Sequence, residues 1–131
     1  MLDDSLYDYL QTFVGITNLV GTRIWPDALP QKPVKPVMPA MVWQCVSDVP
    51  AYSHGGDSGL DEARYQFTCW GSTPLQVRQL AIQVRVALGG KVVALPDGTK
   101  FRSLIESMRR SDEPTTGLYR FIVDVNFLHT P

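Results

Sequence analysis

Two hydrophobic periods meet between Arg64 and Gly90. Tyr65, Phe67 and Cys69 alternate with Arg64, Gln66 and Thr68, the period of two expected of a strand with one buried face. Gly71-Ser72 ends that run. From Thr73 the period lengthens: Val77, Leu80, Ala81, Val84, Ala87 and Leu88 share one side, and Gln76, Arg78, Gln79, Gln83 and Arg85 take the other. This predicts an amphipathic helix of about four turns. Thr73 is placed to cap it, Pro74 to occupy its first position and Gln76 to reach back in a capping box, while Gly89-Gly90 offers a left-handed stop.

The flanking pattern predicts a first helix from about Asp4 to Val14, with Leu6, Leu10, Phe13 and Val14 at helical spacing and Gly15 as its end. Ile16 to Val20 adds a short turn, and Gly21-Thr22-Arg23-Ile24-Trp25-Pro26 reads as a turn into a brief extended piece. Pro30, Pro33, Pro36 and Pro39 recur every third residue, which forbids a hydrogen-bonded ladder and favours an extended surface connector. Ala40 to Ser47 is apolar on both faces except at Gln44, as in a strand covered on both sides. Asp48 to Glu62 is polar and glycine-rich, and reads as a long loop of the kind that is functional or mobile.

Beyond the central helix, Val92 to Leu95 is a short apolar run closed by the turn Pro96-Asp97-Gly98-Thr99. In Phe101 to Met108, Phe101, Ser103, Ile105 and Ser107 fall on one side and Arg102, Leu104, Glu106 and Met108 on the other. Arg109 to Gly117 then turns the chain into the clearest strand, in which Tyr119, Phe121, Val123, Val125 and Phe127 alternate with polar positions and Ile122. The expected fold is α+β: a single domain over residues 1–131, a mainly antiparallel or mixed sheet with two helices packed on it, and long loops at about 27–39 and 48–62.

Composition narrows the function more by exclusion than by indication. The 131 residues suffice for one core, 44% are hydrophobic, and no apolar run approaches the ~20 residues that span a bilayer. Met1-Leu2-Asp3-Asp4 lacks the basic and apolar regions of a signal peptide, so assembly in a cytoplasm is expected. Twelve basic against thirteen acidic residues give a formal charge of -1, which offers no global grip on phosphates. Cys45 and Cys69 lie in apolar stretches without metal-site spacing and read as reduced core thiols.

The most enzyme-like group is Ser53, His54, Asp57, Ser58 and Asp61, yet these side chains are strung through glycines, which works against the rigid positioning that catalysis needs. No Gly-Lys-Ser/Thr follows the glycines, so no phosphate loop and no cofactor site is expected. His129, near the end of the last strand, has no metal-ligand spacing with His54 and reads as exposed or partly packed. Lys100, Arg102, Arg109 and Arg110 form the only local basic concentration, nearly cancelled by Asp112 and Glu113, and read as a charged edge that discourages strand addition. Trp70 lies off the Tyr65, Phe67, Cys69 face, and Leu104 and Met108 share a side with charges, which points to apolar surface beyond the core, to be covered by a second layer of helix or by another subunit.

Leu19-Val20-Gly21-Thr22-Arg23-Ile24-Trp25-Pro26, Ser58-Gly59-Leu60-Asp61-Glu62-Ala63-Arg64 running into Tyr65 to Trp70, the helix Leu75 to Leu88, and Glu113-Pro114-Thr115-Thr116-Gly117-Leu118-Tyr119-Arg120 together carry a resemblance over nearly the whole length. In order and spacing the chain resembles the small tail-completion, or tail-terminator, proteins of long-tailed bacteriophages and prophages, and is similar to the tail terminator of phage lambda. The Lys32 to Pro36 run is longer than that family's usual proline connector. The resemblance implies a virion structural protein without enzymatic activity, cofactor or metal. It implies a ring, six-fold in the family, that caps the tail tube and joins the head. The implied partners are further copies of the chain, the major tail tube protein and the head–tail connector or neck protein. No membrane and no specific nucleic acid are implied, although DNA passes through the lumen of such a ring. Candidate interface residues are Tyr52, His54, Asp57, Leu60, Trp70, Arg109, Arg110, Asp112 and Glu113. Another head-completion or neck protein is the neighbouring alternative. A small ligand- or RNA-binding α+β module is the alternative from a different class, and it would need exposed sheet aromatics backed by basic residues.

Overall fold

The computed structural model describes residues 3–21, 24–26, 39–53, 56–95, 98, 100–111 and 118–129. The proline-rich segment, His54, and Asp112 with Glu113 lie outside the described residues. The elements in order are α1 (Asp3–Thr12), α2 (Val14–Val20), β1 (Ile24–Pro26), β2 (Ala40–Ser53), β3 (Gly56–Gly71), α3 (Pro74–Leu88), β4 (Lys91–Ala94), β5 (Lys100–Arg110) and β6 (Tyr119–His129). The six strands form one sheet in the order β1-β2-β3-β6-β5-β4. Among the described pairs only β1–β2 is parallel, so the α+β expectation holds.

Among the described residues three helices, rather than the expected two, bury their apolar sides against one face of this sheet. Leu6 and Leu10 of α1, Ile16 and Val20 of α2, and Leu80, Ala81, Val84, Ala87 and Leu88 of α3 meet Met41, Trp43, Ala63, Tyr65, Phe67, Val123, Val125 and Phe127 in one core. The extra helix arises because Phe13, not Gly15, breaks the first one: Phe13 is extended at φ -87°, ψ 105°, and its carbonyl accepts from the amides of Ile16 and Thr17 to start α2. Gly15 lies inside α2 against α3, where a Cβ would sit 2.1 Å from Gln83 Oε1 and push that amide aside. The Tyr9 hydroxyl donates to the Ala87 carbonyl at 2.8 Å, which fastens α1 to the end of α3, and burial pushes the Tyr9 phenol pKa up.

The punctuation of α3 is as local sequence dictates. Thr73 Oγ1 accepts from the Gln76 amide at 3.2 Å, Pro74 opens the helix, and Gly90 takes a positive φ of 65° just beyond its end. Gln76 reaches back one residue further than a capping box requires, its Oε1 accepting from the Ser72 amide at 2.7 Å. Gly71 joins β3 to this helix so closely that a Cβ there would stand 2.9 Å from Gln76 Cβ and 3.0 Å from Val77 Cγ1.

Aromatic rings, one from each of four adjacent strands, run across the core. Trp43, Tyr65, Phe127 and Phe101 are linked by centroid separations of 6.0, 5.3 and 5.3 Å, and Tyr9 of α1 meets Phe101 edge-on at 5.5 Å. Cys69 is buried and its thiol pKa is raised by that burial, as expected of a core thiol; Cys45 is half-buried, and neither cysteine is in a disulfide.

Two expectations about faces are overturned by bulges. In β5 the register shifts between Ile105 and Ser107, so Met108 pairs with Val123 and packs on the core, whereas Ser107 pairs with Asp124 on the opposite face. In β2 a shift between Cys45 and Ser47 leaves Val46 unpaired and 55% exposed. The two-sided cover predicted for Ala40 to Ser47 holds for Ala40 through Trp43, all buried, and stops there: Gln44 and Val46 are exposed.

Candidate assembly surfaces

The segment read as a long polar loop is mostly strand. β2 and β3 stay paired from Ala40↔Trp70 to Ser53↔Gly56. The missed signal is one of physics: ladder hydrogen bonds join backbone groups, so a ribbon forms without the apolar alternation that marks a buried face. β6 accompanies β3 only as far as Asp61↔His129. The ribbon of residues 50–53 and 56–60 therefore continues as a two-stranded arm past the third strand.

The candidate residues separate to opposite ends of the sheet. Tyr52 and Asp57 are cross-strand partners on the arm, and Leu60 pairs with Ala51 there. Trp70 lies at the other end of β3, paired with Ala40 on one side and Arg120 on the other. Arg109 and Arg110 close β5 at that same end, opposite Ile122 and Phe121. His54, Asp112 and Glu113 fall outside the described residues.

The Trp70 end is held by cations placed over rings. The Arg120 guanidinium sits 5.3 Å from the centre of the Trp70 ring and donates to Ser111 through Nε to the carbonyl at 2.9 Å and through Nη2 to Oγ at 3.0 Å. Arg110 lies 5.2 Å from the centre of the Tyr119 ring. β4 covers only Lys100 to Ser103 of β5, so Leu104 to Arg110 runs with β6 on one side and no described strand on the other. Arg109 and Arg110 are exposed along that stretch, in the position of charged residues that guard an edge.

The face of the sheet away from the helices is a polar lattice. Asp124 accepts from Ser107 Oγ at 2.7 Å, from Gln66 Nε2 at 3.4 Å and from Arg109. Burial raises its carboxyl pKa, but the hydrogen bonds from Ser107, Arg109 and Gln66 and the charge of Arg109 outweigh that and hold it below the ordinary carboxylate value. Asn126 Nδ2 donates to Glu62 and Glu106, each at 3.0 Å, and Arg64 pairs with Glu106 at 3.1 Å. Glu62, Arg102, Leu104, Asn126 and Leu128 line a shallow hollow on this face. The large aromatics Tyr65, Phe67 and Phe127 point the other way, into the core.

His129 differs most from expectation. It is 1% exposed on the helix side of the sheet, and its Nε2 lies 3.2 Å from Asp48 Oδ1. Strict alternation from Trp43 and Cys45 would send Asp48 to the other face; the Val46 bulge brings it round to pair with Ala63 on the core side.

Residues 4–130 match the family described as Tail completion protein gp17. The chain belongs to that family. It is accordingly a structural protein of the phage tail and a virion component. No curated protein matches it. Among solved structures, it is similar to a chain described as "Virion of native gene transfer agent (GTA) particle", with 12% identity, a TM-score of 0.67, and coverage of 96% of this chain and 92% of that one. That likeness is one of fold, and it spans both chains almost entirely.

Proposed function

We propose that this tail completion protein caps the tail tube as a ring of six copies and presents the surface that joins the tail to the head, without catalysing a reaction. The observation that carries this reading is the separation of two unlike surfaces at opposite ends of one sheet: a two-stranded arm carrying Tyr52, Asp57 and Leu60, and a cation-lined end carrying Trp70, Arg109, Arg110 and Arg120. A closed ring is built from heterologous contacts, in which one surface of each copy meets a different surface of the next. A C2 dimer would need only one self-complementary patch. An isolated two-stranded ribbon is at best marginally stable in water, so an arm that outruns its third strand is completed by a neighbour. The polar lattice agrees with a wall past which DNA moves, because the Arg64 and Arg109 charges are matched within the chain by Glu106 and Asp124. The major tail tube protein and a head-side neck protein are the remaining partners of this reading.

The test is reconstitution. Tails assembled without this protein are mixed with the purified chain and viewed by electron microscopy. Tails of regular length, ringed at one end and competent to join filled heads, are the expected result. Rings that bind heads but leave tail length unregulated would move the chain to the head side of the neck, and tails without any ring would overturn the proposal.

A further inference from the structure

Asp48, Asp61 and His129 come from three adjacent strands and meet on the helix side of the sheet, at the root of the arm. One ligand atom of each lies within 4.8 Å of the other two. Ligands held ~2.0–2.2 Å from a single ion stand roughly 3 to 4.4 Å apart. The three groups are thus within a few tenths of an ångström of enclosing one ion, a distance that side-chain rotation covers.

Two independent features point the same way. The first is how Asp48 gets there: without the Val46 bulge it would face the polar lattice, where carboxylates already have partners. Bulges recur where a side chain must be re-aimed. The second is charge. Two carboxylates share this spot with one imidazole, on the face whose other members are Ala63, Tyr65 and Phe127. A divalent cation placed here would offset both carboxylates at once, and charges withdrawn from water are held by ion pairing or by metal coordination. His129 is buried, whereas Asp48 keeps 15% of its side-chain exposure and Asp61 is half-buried, which leaves a route for an ion and its water.

We infer that Asp48, Asp61 and His129 form a binding site for one divalent transition-metal ion, which ties β2, β3 and β6 together where the arm leaves the sheet. The ligand set decides the class of ion. An imidazole with two carboxylates suits zinc, manganese or iron(II), whereas magnesium and calcium favour all-oxygen shells. The remaining positions go to water, and the role is structural. This site stands apart from the ring proposal and is tested without reference to tails.

The full chain, stripped with chelator and carrying no affinity tag, is titrated with Zn2+, Mn2+ and Co2+ by calorimetry, thermal melting and, for Co2+, visible absorption. One saturable equivalent, a rise in melting temperature and Co2+ bands of nitrogen and oxygen ligation are expected, with Mg2+ at equal concentration giving far less. Asp61→Asn and Asp48→Asn preserve shape and should each weaken binding at least ~10-fold, since loss even of a group that merely supports a ligand has that effect. His54→Ala should leave affinity unchanged. The inference is overturned if no saturable binding occurs at millimolar ion, if both Asn variants bind as the parent does, or if His54→Ala abolishes the signal. His129→Ala is avoided as the primary test because a buried side chain is lost with it.

Discussion

At Asp124 donors from two strands converge on one carboxylate: Gln66 from β3, and Ser107 and Arg109 from β5. Its side chain is only 13% exposed, so those donors replace the water it has lost. The sign of the resulting pH dependence follows from the depressed pKa. The folded protein binds this proton less tightly than the unfolded chain, whose aspartates titrate near ~3.9, so the contribution to stability is in place above that pH and is lost as pH falls through the lower folded value. Asp124→Asn should therefore melt lower than the parent at neutral pH and lose less on acidification below about pH 4. Melting curves followed by circular dichroism from pH 7 to 2.5 decide it. Parallel pH profiles for the two proteins would mean that the lattice around Asp124 adds nothing.

Among the elements, α3 is specified most locally. Thr73→Ala removes the hydroxyl that accepts the Gln76 amide and should cost ~1 kcal/mol, read from chemical denaturation, while Thr73→Ser should restore most of it. Equal stability of the Ala variant and the parent would show that water caps this helix as well. Elements of this kind were legible in sequence because their signals lie within one turn of where they act: the cap and proline of α3, the alternation of β6, and the Gly90 stop. The two bulges were not legible. A bulge is set by the register of a partner strand distant in sequence, and shifting by one residue exchanges the faces of everything after it, which is how Asp48 and Met108 came to be assigned wrongly or passed over. The burial of His129 is not legible from its place near the chain end, because it follows from β6 pairing with β3 and β5 up to that residue. Trp70, Arg109 and Arg110 stand at one end of the sheet, and the part Arg120 plays there is not legible in sequence because it depends on a ring in β3 and the Ser111 carbonyl.

At the scale of the whole molecule the helices and the core occupy one side of the sheet, and the arm leaves it at an end. Among the described residues, 50–53 and 56–60 have each other as backbone partners and no third strand, so the stability of the domain should depend little on them. On the proposed ring, their length serves the contact with a neighbouring copy. Replacing residues 52–59 by a two-residue Asn-Gly turn, which links the paired Ala51 and Leu60 and retains Asp48, Asp61 and their partners, separates the two roles. The shortened protein should fold, melt within a few degrees of the parent and keep any affinity for divalent ions, yet fail to form a ring on tails or restore their length. If it unfolds, the arm belongs to the core and the division of the molecule drawn from its strand pairing is wrong. If it folds and still completes tails, the arm is not the surface through which copies meet, and the ring would have to close through the Trp70 end and the helices instead.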